Sequence, residues 1–395
     1  MKLLFLTSRL PWPPDRGDRL RTYHLLRTFS KEHEIVLVSF VADRKEAEHL
    51  HEIEAYCRDI HIIHLPFWQS ALSVALNIWR GTPLQLEFYR SRKMRMLVDK
   101  MLSKEKFQAA YIHLFRMTPY LMKNTQVYRV VDLTDLISQE ISTSMPYRSR
   151  ISRAIYNVEL PRIASYERQV AEWADEAWLI SDRDKFELET HCASNKLQTI
   201  PNGVNSETFY PMQVQQHDLK VIFVGNLSVF HNIDALRYLV LEIMPLVREQ
   251  EPECNFQIVG SGAGREVRSL VRKPGIEFSG FVADLNMALN KSTLFIAPLR
   301  FSAGIQNKVL EAMTTGLPVV STSTVNAGLG AVAGRELLVA DEARSLADEV
   351  VRLLRKPHLR REIGLAGRRF VERQFGWDIA LRRMRDIEKL IVKND

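Results

Sequence analysis

The chain has 395 residues, of which 46% are hydrophobic and 26% charged, a composition typical of globular proteins and unlike that of disordered chains. At about 100–200 residues per domain, this length predicts two or three hydrophobic cores. The formal net charge is +7, and the three cysteines, Cys57, Cys192 and Cys254, are far apart in the sequence. This spacing argues against a disulfide framework and a C-x-x-C zinc site, and it fits a reducing cytosol.

The positive charge is concentrated in one stretch. Residues 80–168 hold 16 Lys or Arg against 8 Asp or Glu. Basic side chains are interleaved with apolar and aromatic ones at 89–97 and 147–156. Such segments suit an anionic membrane face or an anionic acceptor, and they equally describe solvated helix faces that keep a protein in solution. Nucleic acid is not expected as a partner, because no nucleic-acid-binding motif accompanies the charge.

Targeting and membrane-spanning segments are not predicted. The apolar run at 2–6 leads directly into Pro11 and is too short for the apolar region of a signal peptide. The longest other apolar run, Ala71 to Trp79, includes Ser73 and Asn77 and cannot span a bilayer. We therefore expect a cytoplasmic protein, either free or peripheral on the inner face of the cytoplasmic membrane.

Short apolar runs alternate with segments of helical period in both halves of the chain, a pattern typical of parallel sheets with helices on both faces. In the first half, strands are predicted at 2–7, 34–40, 59–64, 109–113, 127–132, 176–180 and 198–200. Helices are predicted between them, for example at 19–29 and 44–56. The second half restarts the pattern, with strands predicted at 220–224, 255–259, 276–279, 294–297, 318–320 and 337–339.

A turn at Pro201-Asn202-Gly203, followed by the polar segment 213–218, separates the halves. We predict an α/β protein with two doubly wound, Rossmann-like domains, residues 1–210 and 211–374. The helical period at 377–392 predicts a terminal helix within residues 375–395. Two such domains would face each other across a cleft, because ligands of these sheets bind beyond the carboxyl ends of the strands.

The segment from Phe301 to Met313 is the strongest candidate for a ligand site. It follows a predicted strand with a turn of small residues and starts a helix near Gln306. Free backbone N–H groups at a helix start bind anions, and Gly304 would let the backbone approach a phosphate closely. Lys308 could add a positive charge, and Glu311 could accept hydrogen bonds from ribose hydroxyls. On spacing alone, the segment is also an ordinary strand–turn–helix unit.

Glu311-Ala312-Met313, followed by Gly316-Leu317-Pro318-Val319-Val320, resembles the donor-binding signature of glycosyltransferase family 4, the retaining enzymes of GT-B fold. The resemblance extends along the chain in the family's order, through 201–205, 221–227, 258–262 and 278–282. It implies a GT-B fold in which the C-terminal helix, residues 375–395, packs back on the first domain. It also implies the transfer of a hexose, with glucose favoured, from a UDP-sugar with retention of configuration. Cell-envelope or exopolysaccharide synthesis is the implied setting, with a lipid-linked or polysaccharide acceptor.

The resemblance also implies a set of donor-binding residues. They are Gly225, Asn226, His231, Phe281, Val282, Arg300, Ala303, Gly304, Ile305, Gln306, Asn307, Lys308 and Glu311. Phe281 and Val282 are expected at the nucleotide base, the amides of 304–308 at the phosphate and sugar, and Glu311 at the ribose.

The chain departs from the family pattern at three of these positions. Ala303 stands where the family has the first of two glutamates, and Asn226 and His231 stand where it has Arg and Lys that hold the pyrophosphate. Arg300, Lys308 or His231 could compensate. A charge-assisted contact contributes about 1.5–3 kcal/mol, so two uncompensated losses would weaken donor binding severely.

In the first domain, the resemblance assigns catalytic positions to Gly17, Asp18 and His113. Gly17 would permit close approach to the donor, whereas Asp18 is equally explained as a helix cap. His113 is expected at the carboxyl end of a strand, where it could hydrogen-bond the sugar. Asp132 and Asp135 end the next strand and form either a base on the acceptor side or a turn.

Metals and redox cofactors are not expected. The chain has no Asp-x-Asp motif suited to a metal that bridges a diphosphate, which implies metal independence. The glycine cluster Gly260–Gly264 resembles a dinucleotide fingerprint, but Arg265 occupies the place of its third glycine. The UDP-sugar is therefore the expected ligand, and NAD is not.

Three functions fit these observations. The leading one is the hexosyltransferase just described. The second is a catalytically degenerate GT-B protein that binds nucleotide or acts as a scaffold, which the substitutions at Asn226, His231 and Ala303 favour and the presence of Glu311 opposes. The third, a sugar-nucleotide epimerase of the same fold, has no positive support in the sequence.

Overall fold

The computed structural model of the protein describes residues 1–14, 17–124, 126–192, 196–214 and 219–394. Asp15 and Arg16 of the first-domain loop, and residues 215–218 of the predicted linker, lie outside these ranges. The chain forms two compact units, Met1–Pro201 with Trp377–Asp395, and Asn202–Gly376. The junction between them lies earlier in the chain than residue 210, where the sequence placed it.

The first unit contains one parallel sheet. Its strands are β1 (Lys2–Thr7), β2 (Glu34–Val41), β3 (Asp59–His64), β4 (Ala109–His113), β5 (Tyr128–Thr134), β6 (Glu176–Leu179) and β7 (Leu197–Thr199). They are ordered β3-β2-β1-β4-β5-β6-β7, and every pair is parallel. The strand order therefore reverses between β1 and β4, which makes this the place where ligands of doubly wound sheets bind.

Helices cover both faces of this sheet. They are α1 (Gly17–Phe29), α2 (His51–Glu54), α3 (Phe67–Asn77), α4 (Leu84–Phe88), α5 (Arg92–Lys104), α6 (Ile137–Ser144), α7 (Arg150–Trp173) and α8 (Asp182–Glu189), with 3-10 turns at Arg44–His49, Ile78–Arg80, Phe115–Tyr120 and Met145–Tyr147. The single helix predicted at 44–56 is wrong in detail. The Asp43 carboxylate accepts a hydrogen bond from the backbone N–H of Lys45 at 3.0 Å, and a 3-10 turn follows before the short α2.

The central strands β1, β2, β4 and β6 form because almost every side chain in them is buried. Along β1, Leu4 and Leu6 enter the core on one face of the sheet, and Leu3 and Phe5 enter the core on the other. A strand covered on both faces reads as a continuous apolar run, which is the signal that predicted it.

The second unit repeats this plan. Its strands are β8 (Lys220–Val224), β9 (Asn255–Val259), β10 (Ile276–Gly280), β11 (Leu294–Ala297), β12 (Val319–Ser321) and β13 (Leu338–Val339). They form a parallel sheet in the order β10-β9-β8-β11-β12-β13, so the order reverses between β8 and β11. Its helices are α9 (Phe230–Tyr238), α10 (Met244–Gln250), α11 (Arg265–Leu270), α12 (Leu285–Asn290), α13 (Asn307–Thr314), α14 (Ser323–Leu329), α15 (Ala343–Arg355) and α16 (Pro357–Gln374), with a π-helical turn at Leu239–Ile243.

The last helix, α17 (Asp378–Asn394), returns to the first unit and packs against α1. Ala380, Leu381, Met384 and Ile387 join the core on the Leu3 and Phe5 side of the sheet. Together, the two parallel sheets and this returning helix confirm the predicted α/β architecture. No helix in the described part of the chain is long and apolar enough to cross a membrane.

Candidate functional site

The crevice of the second unit lies at the carboxyl ends of β8 and β11, where the strand order reverses. Gly225 follows β8 directly. The loop after β11 carries residues 298–306 and leads into α13. Most of the predicted donor residues therefore lie on two neighbouring segments at the same edge of one sheet.

The start of α13 is open to a ligand. Gln306 precedes the helix, and no side chain caps the N–H groups of its first turn. Gly304 adopts a left-handed conformation with φ of 56°, which glycine adopts without strain. A Cβ atom on Gly328 of α14 would lie 2.0 Å from the Gly304 carbonyl oxygen, so α14 presses directly on this loop. Unbonded amides at a helix start are suited to a phosphate.

Lys308 lies in the first turn of α13 and points toward the β8 side of the crevice. Its Nζ donates a hydrogen bond to the Asn232 side chain and lies 5.5 Å from the centre of the Phe223 ring. Burial lowers the pKa of Lys308 to about 7, and the nearby Glu311 carboxylate opposes this shift only in part. The buried ammonium group of Lys308 has little negative charge nearby, so an anionic ligand would stabilise it.

Asn232 is a site residue that the sequence did not reveal. Its side chain is buried, and its Nδ2 donates to the Asn226 carbonyl oxygen at 3.0 Å. A Cβ atom on Gly225 would lie 2.9 Å from the Asn232 Cγ atom, so Gly225 makes room for this amide. An asparagine inside a helix carries no distinctive signal, and only the fold places it against Lys308.

Glu311 follows Lys308 by one turn of α13. Burial raises its pKa to about 7, although the positive charge of Lys308 opposes the rise. Among the described residues, no side chain or backbone group donates a hydrogen bond to its carboxylate. Hydrogen bonds from ligand hydroxyls would stabilise this desolvated, half-buried carboxylate, as expected for a residue that holds a ribose.

Arg300 and Asn226 are each held by the protein itself. The Arg300 guanidinium donates to both Asp234 carboxylate oxygens, at 2.7 and 3.0 Å, and lies over the Tyr238 ring at 4.8 Å. The Asn226 side-chain oxygen accepts from the backbone N–H of Ser228 at 3.0 Å and from its hydroxyl at 2.6 Å. Both residues stay near the crevice, but each already fills a structural role.

The other predicted donor residues are divided between the crevice and a more distant edge. Ala303 and Ile305 are buried in the loop, and the Asn307 side chain accepts a hydrogen bond from Asn202 at 2.9 Å. His231 lies in the first turn of α9. Phe281 and Val282 follow β10, which is separated from β8 by β9. Phe281 is 77% exposed and can contact a flat ligand group.

The crevice of the first unit lies at the ends of β1 and β4. His113 is the last residue of β4, and its side chain is only 2% exposed. Its Nε2 atom has no hydrogen-bond partner in the described part of the protein. Burial lowers its pKa to about 4, and the charges of Asp132 and Asp18 counter this only in part. The imidazole is therefore neutral at physiological pH and can exchange hydrogen bonds with a hydroxyl.

Gly17 and Asp18 begin α1. A Cβ atom on Gly17 would meet no atom within 4 Å, so this position faces open space. Asp18 accepts hydrogen bonds from Arg9 Nη1 at 3.1 Å and from the backbone N–H of Arg19 at 3.0 Å. Burial alone would raise the pKa of Asp18, but the positive charges of Arg9 and Arg116 and the hydrogen bond from the Arg19 backbone outweigh it and lower the pKa.

Arg9 and Arg116 are further residues of this crevice that the sequence did not single out. The Arg116 Nε atom donates to the Ser8 hydroxyl at 3.1 Å, and its Nη1 atom donates to the Gln85 side chain at 3.1 Å. Ser8 and Arg9 follow β1, and Arg116 follows β4. The two arginines add positive charge around Asp18, which suits an anionic ligand.

Asp132 lies buried beneath the surface of the first-unit crevice, near the end of β5. Its carboxylate is fully buried and accepts hydrogen bonds from Arg21 Nε at 2.6 Å and from the Tyr111 hydroxyl. Its second oxygen accepts from the backbone N–H of Thr134 at 3.0 Å, which closes the turn after β5. Of the two interpretations of Asp132, the strand-end turn matches the structure.

The described residues contain no cluster of three or more His, Cys, Asp or Glu side chains that could hold a metal ion.

Comparisons with known proteins agree with this architecture. Residues 218–356 match the family model described as glycosyl transferases group 1. A 44.6 kDa protein in the cps region of Klebsiella pneumoniae is 21% identical over 393 residues, covering 95% of this chain and 96% of its own.

Two solved structures show the same fold. Sucrose-phosphate synthase from Thermosynechococcus elongatus superposes with a TM-score of 0.76 at 16% identity, and the match covers 100% of both chains. Anabaena HepE, solved in complex with UDP, has a TM-score of 0.70 at 13% identity, with 98% of this chain and 100% of its own covered. The family match therefore lies within the second unit, and the chain as a whole has the GT-B fold of these solved structures.

Proposed function

We propose that the second unit binds the nucleoside diphosphate of a UDP-sugar at the crevice between β8 and β11. The observation that carries the proposal is the combination of the uncapped start of α13, the poorly compensated Lys308 cation and the unpartnered Glu311 carboxylate. The amides of α13 and Lys308 hold the diphosphate, and Glu311 accepts hydrogen bonds from the ribose. Phe281 and Val282 contact the base.

The transferred group is proposed to be a hexose, with glucose favoured. Anabaena HepE, which has the same fold, was solved with UDP, with UDP and glucose, and with UDP-glucose. The Klebsiella relative in a cps region supports an acceptor from polysaccharide or cell-envelope synthesis. In the first unit, His113, Gly17 and Asp18 are the proposed catalytic residues.

We propose that transfer retains the configuration at the anomeric carbon. The bond between that carbon and the diphosphate oxygen breaks while the acceptor hydroxyl attacks from the same face. The departing phosphate accepts the proton of the acceptor. The negative charge that grows on this phosphate is stabilised by Lys308 and the α13 amides, which makes a metal ion unnecessary.

Calorimetric titration with UDP tests the donor site directly. Wild-type protein should bind UDP, and Glu311→Ala and Lys308→Ala should each weaken binding by about 10- to 100-fold, since a charge-assisted hydrogen bond contributes about 1.5–3 kcal/mol. Glu362→Ala, which removes an exposed glutamate of α16 in the same unit, is the matched control. Absence of UDP binding by the wild type would contradict the proposal.

A second candidate, a nucleotide-binding protein without transfer activity, is favoured by a specific observation. Arg300 is hydrogen-bonded to Asp234, and the Asn226 side-chain oxygen is hydrogen-bonded to Ser228. Because both side chains are engaged within the protein, Lys308 is the main side chain that can contact the phosphates. Release of labelled glucose from UDP-[14C]glucose, and from other labelled UDP-sugars, separates the candidates. Turnover that Glu311→Ala abolishes supports the transferase, and UDP binding without turnover of any UDP-sugar supports the second candidate.

A further inference from the structure

Helix α3 presents apolar side chains outward. Its residues, Phe67–Asn77, include no charged side chain, and the single residue of the helix that is buried is Ser70. Phe67, Trp68, Leu72 and Leu76 are exposed, and Trp79 in the 3-10 turn that follows is 89% exposed. The spacing of 68, 72, 76 and 79 places these side chains along one face of the helix. Contiguous apolar exposure of this kind marks an interaction surface.

A second row of exposed apolar side chains lies at the start of α7, formed by Ile151, Ile155 and Val158. Helix α4 lies between this row and α3. The Phe67 and Phe88 rings are 5.9 Å apart, which joins α3 to α4. The backbone N–H of Leu84 donates to the Glu159 carboxylate at 2.9 Å, which joins α4 to α7. We call the outward faces of α3 and the start of α7 the apolar face of the first unit.

Basic side chains predominate around the apolar face, and the acidic Glu159 between α4 and α7 is buried and paired with Arg162. Residues 65–98 contain five basic side chains and one acidic one, Glu87, which is fully buried and paired with Arg90. Residues 141–158 contain three basic side chains and no acidic one. The exposed members of these two sets are Arg80, Arg90, Arg92, Lys93, Arg150 and Arg153.

We propose that the apolar face docks the first unit on an anionic lipid bilayer. Tryptophan, phenylalanine and leucine side chains insert at the boundary between headgroups and acyl chains, and the basic rim contacts anionic headgroups. Each basic side chain near such a surface adds to the electrostatic attraction of the protein to the bilayer. A second copy of the chain is disfavoured as the occupant, because a twofold contact would bring the basic rims together.

The inference uses residues of the first unit alone and is independent of the nucleotide site. Arg116 of the first-unit crevice donates a hydrogen bond to Gln85 of α4, which lies beside the apolar face. Docking through the apolar face therefore brings this crevice close to substrates embedded in or anchored to the bilayer. Water-soluble UDP-sugar reaches the protein from solution in either case. Bilayer docking therefore favours acceptors that carry a lipid.

Co-sedimentation with large unilamellar vesicles tests the docking. Wild-type protein should pellet with vesicles of 70% phosphatidylcholine and 30% phosphatidylglycerol and should stay in solution with pure phosphatidylcholine. Raising NaCl from 0.05 to 0.5 M should weaken binding by about tenfold or more, because salt screens the rim. The double variants W68S/W79S and R92Q/K93Q should each lose about tenfold or more in binding.

The matched control is F186S/K31Q, which removes one exposed aromatic and one exposed basic side chain of the same unit outside the apolar face. It should bind like the wild type. Circular dichroism and thermal melting, measured without lipid, should be the same in all variants and show that the first unit is folded in each. UDP affinity should also be unchanged, because UDP binds to the second unit. Failure to bind UDP with vesicle binding intact contradicts the proposed function and leaves the docking proposal standing.

Two outcomes would overturn the docking proposal. The first is equal partitioning of the wild type to neutral and anionic vesicles, or to neither. The second is a wild-type dimer in sedimentation equilibrium that W68S/W79S converts to a monomer, which would assign the apolar face to a contact between copies.

Discussion

At the scale of single residues, Lys308 and Glu311 share one physical situation. Both are ionisable groups drawn out of water on the first turns of α13, and burial moves both pKa values to about 7 from opposite directions. Neither group is matched to a close ion-pair partner among the described residues. Two groups shifted in this way at a sheet crevice are typical of a binding site rather than of a stabilising contact.

The pH dependence of UDP binding follows from the shifted pKa of Lys308. As pH rises through about 7 the lysine loses its proton, so affinity for UDP should fall between pH 6.5 and pH 9. The fall should be absent in Lys308→Gln, which carries no charge at any pH. It should also be absent for uridine, which has no phosphate. Calorimetry at several pH values measures this, and a wild-type affinity that stays constant to pH 9 would show that Lys308 does not meet the phosphate.

We expect His113 to lower the free energy of unfolding of the protein and to be needed for turnover. Its buried Nε2 atom has no partner, which costs about 1–3 kcal/mol, so His113→Leu should raise the free energy of unfolding by about 1 kcal/mol. The same change should lower turnover of the UDP-sugar by about 100-fold while leaving UDP affinity unchanged. Denaturant unfolding and turnover assays measure the two effects. His61→Leu on β3 is the control, and a loss of stability without loss of turnover would assign His113 to the core.

Some residues of the candidate site could be predicted from the sequence, and others could not. His113, Lys308 and Glu311 follow strand ends or open a helix, and the family resemblance marked them. Arg116 and Asn232 carry no local signal, because the partners Ser8 and Lys308 are far from them in the chain. Local patterns specify elements, but contacts between distant segments exist only after the sheet has set the order of its strands.

At the scale of elements, the strands were the most predictable part of the protein. Apolar runs such as β1, β4 and β8 are bounded as predicted, because burial on both faces confines their polar residues to the ends of the strands. The segment 44–56 was less predictable. Its helical period is genuine, but capping by Asp43 favours a 3-10 turn first.

The close packing of α14 on the donor loop predicts the effect of one methyl group. Gly328→Ala would place a Cβ atom 2.0 Å from the Gly304 carbonyl oxygen, so the loop or the helix must move. UDP affinity should fall by about tenfold or more, because a shift of the loop misdirects the α13 amides. Calorimetry measures this. Gly264→Ala is the control, since its Cβ atom meets nothing within 4 Å. Unchanged UDP affinity in Gly328→Ala would show that the loop does not position the ligand.

At the scale of the whole molecule, the chain leaves the first unit at Pro201 and returns to it at Trp377. The returning helix α17 is tied to the sheet by its apolar face and by Arg383, whose Nη2 donates to the buried Glu176 carboxylate at 2.6 Å. The helical period predicted this helix, and the family resemblance predicted where it packs. The Arg383–Glu176 pair joins residues that are 207 positions apart and had no local signal.

Met384 tests how much α17 contributes to the first unit. Its side chain is fully buried, so Met384→Ala should lower the free energy of unfolding of the first unit by about 2–5 kcal/mol. Val392→Ala on the same helix should have little effect, because Val392 is 69% exposed. Calorimetric melting of both variants measures this, with UDP binding to follow the second unit. Equal melting temperatures for the wild type and Met384→Ala would show that α17 is not part of the core.

The return of α17 has a consequence for the order of synthesis. On the ribosome, every residue of the second unit emerges before Met384 and Ile387, which complete the core of the first. The first unit is therefore completed only after the second, although its strands are made earlier, and this reverses the usual order in which domains fold during translation. A premature stop codon near residue 377 would leave the second unit whole and damage the unit that was made before it.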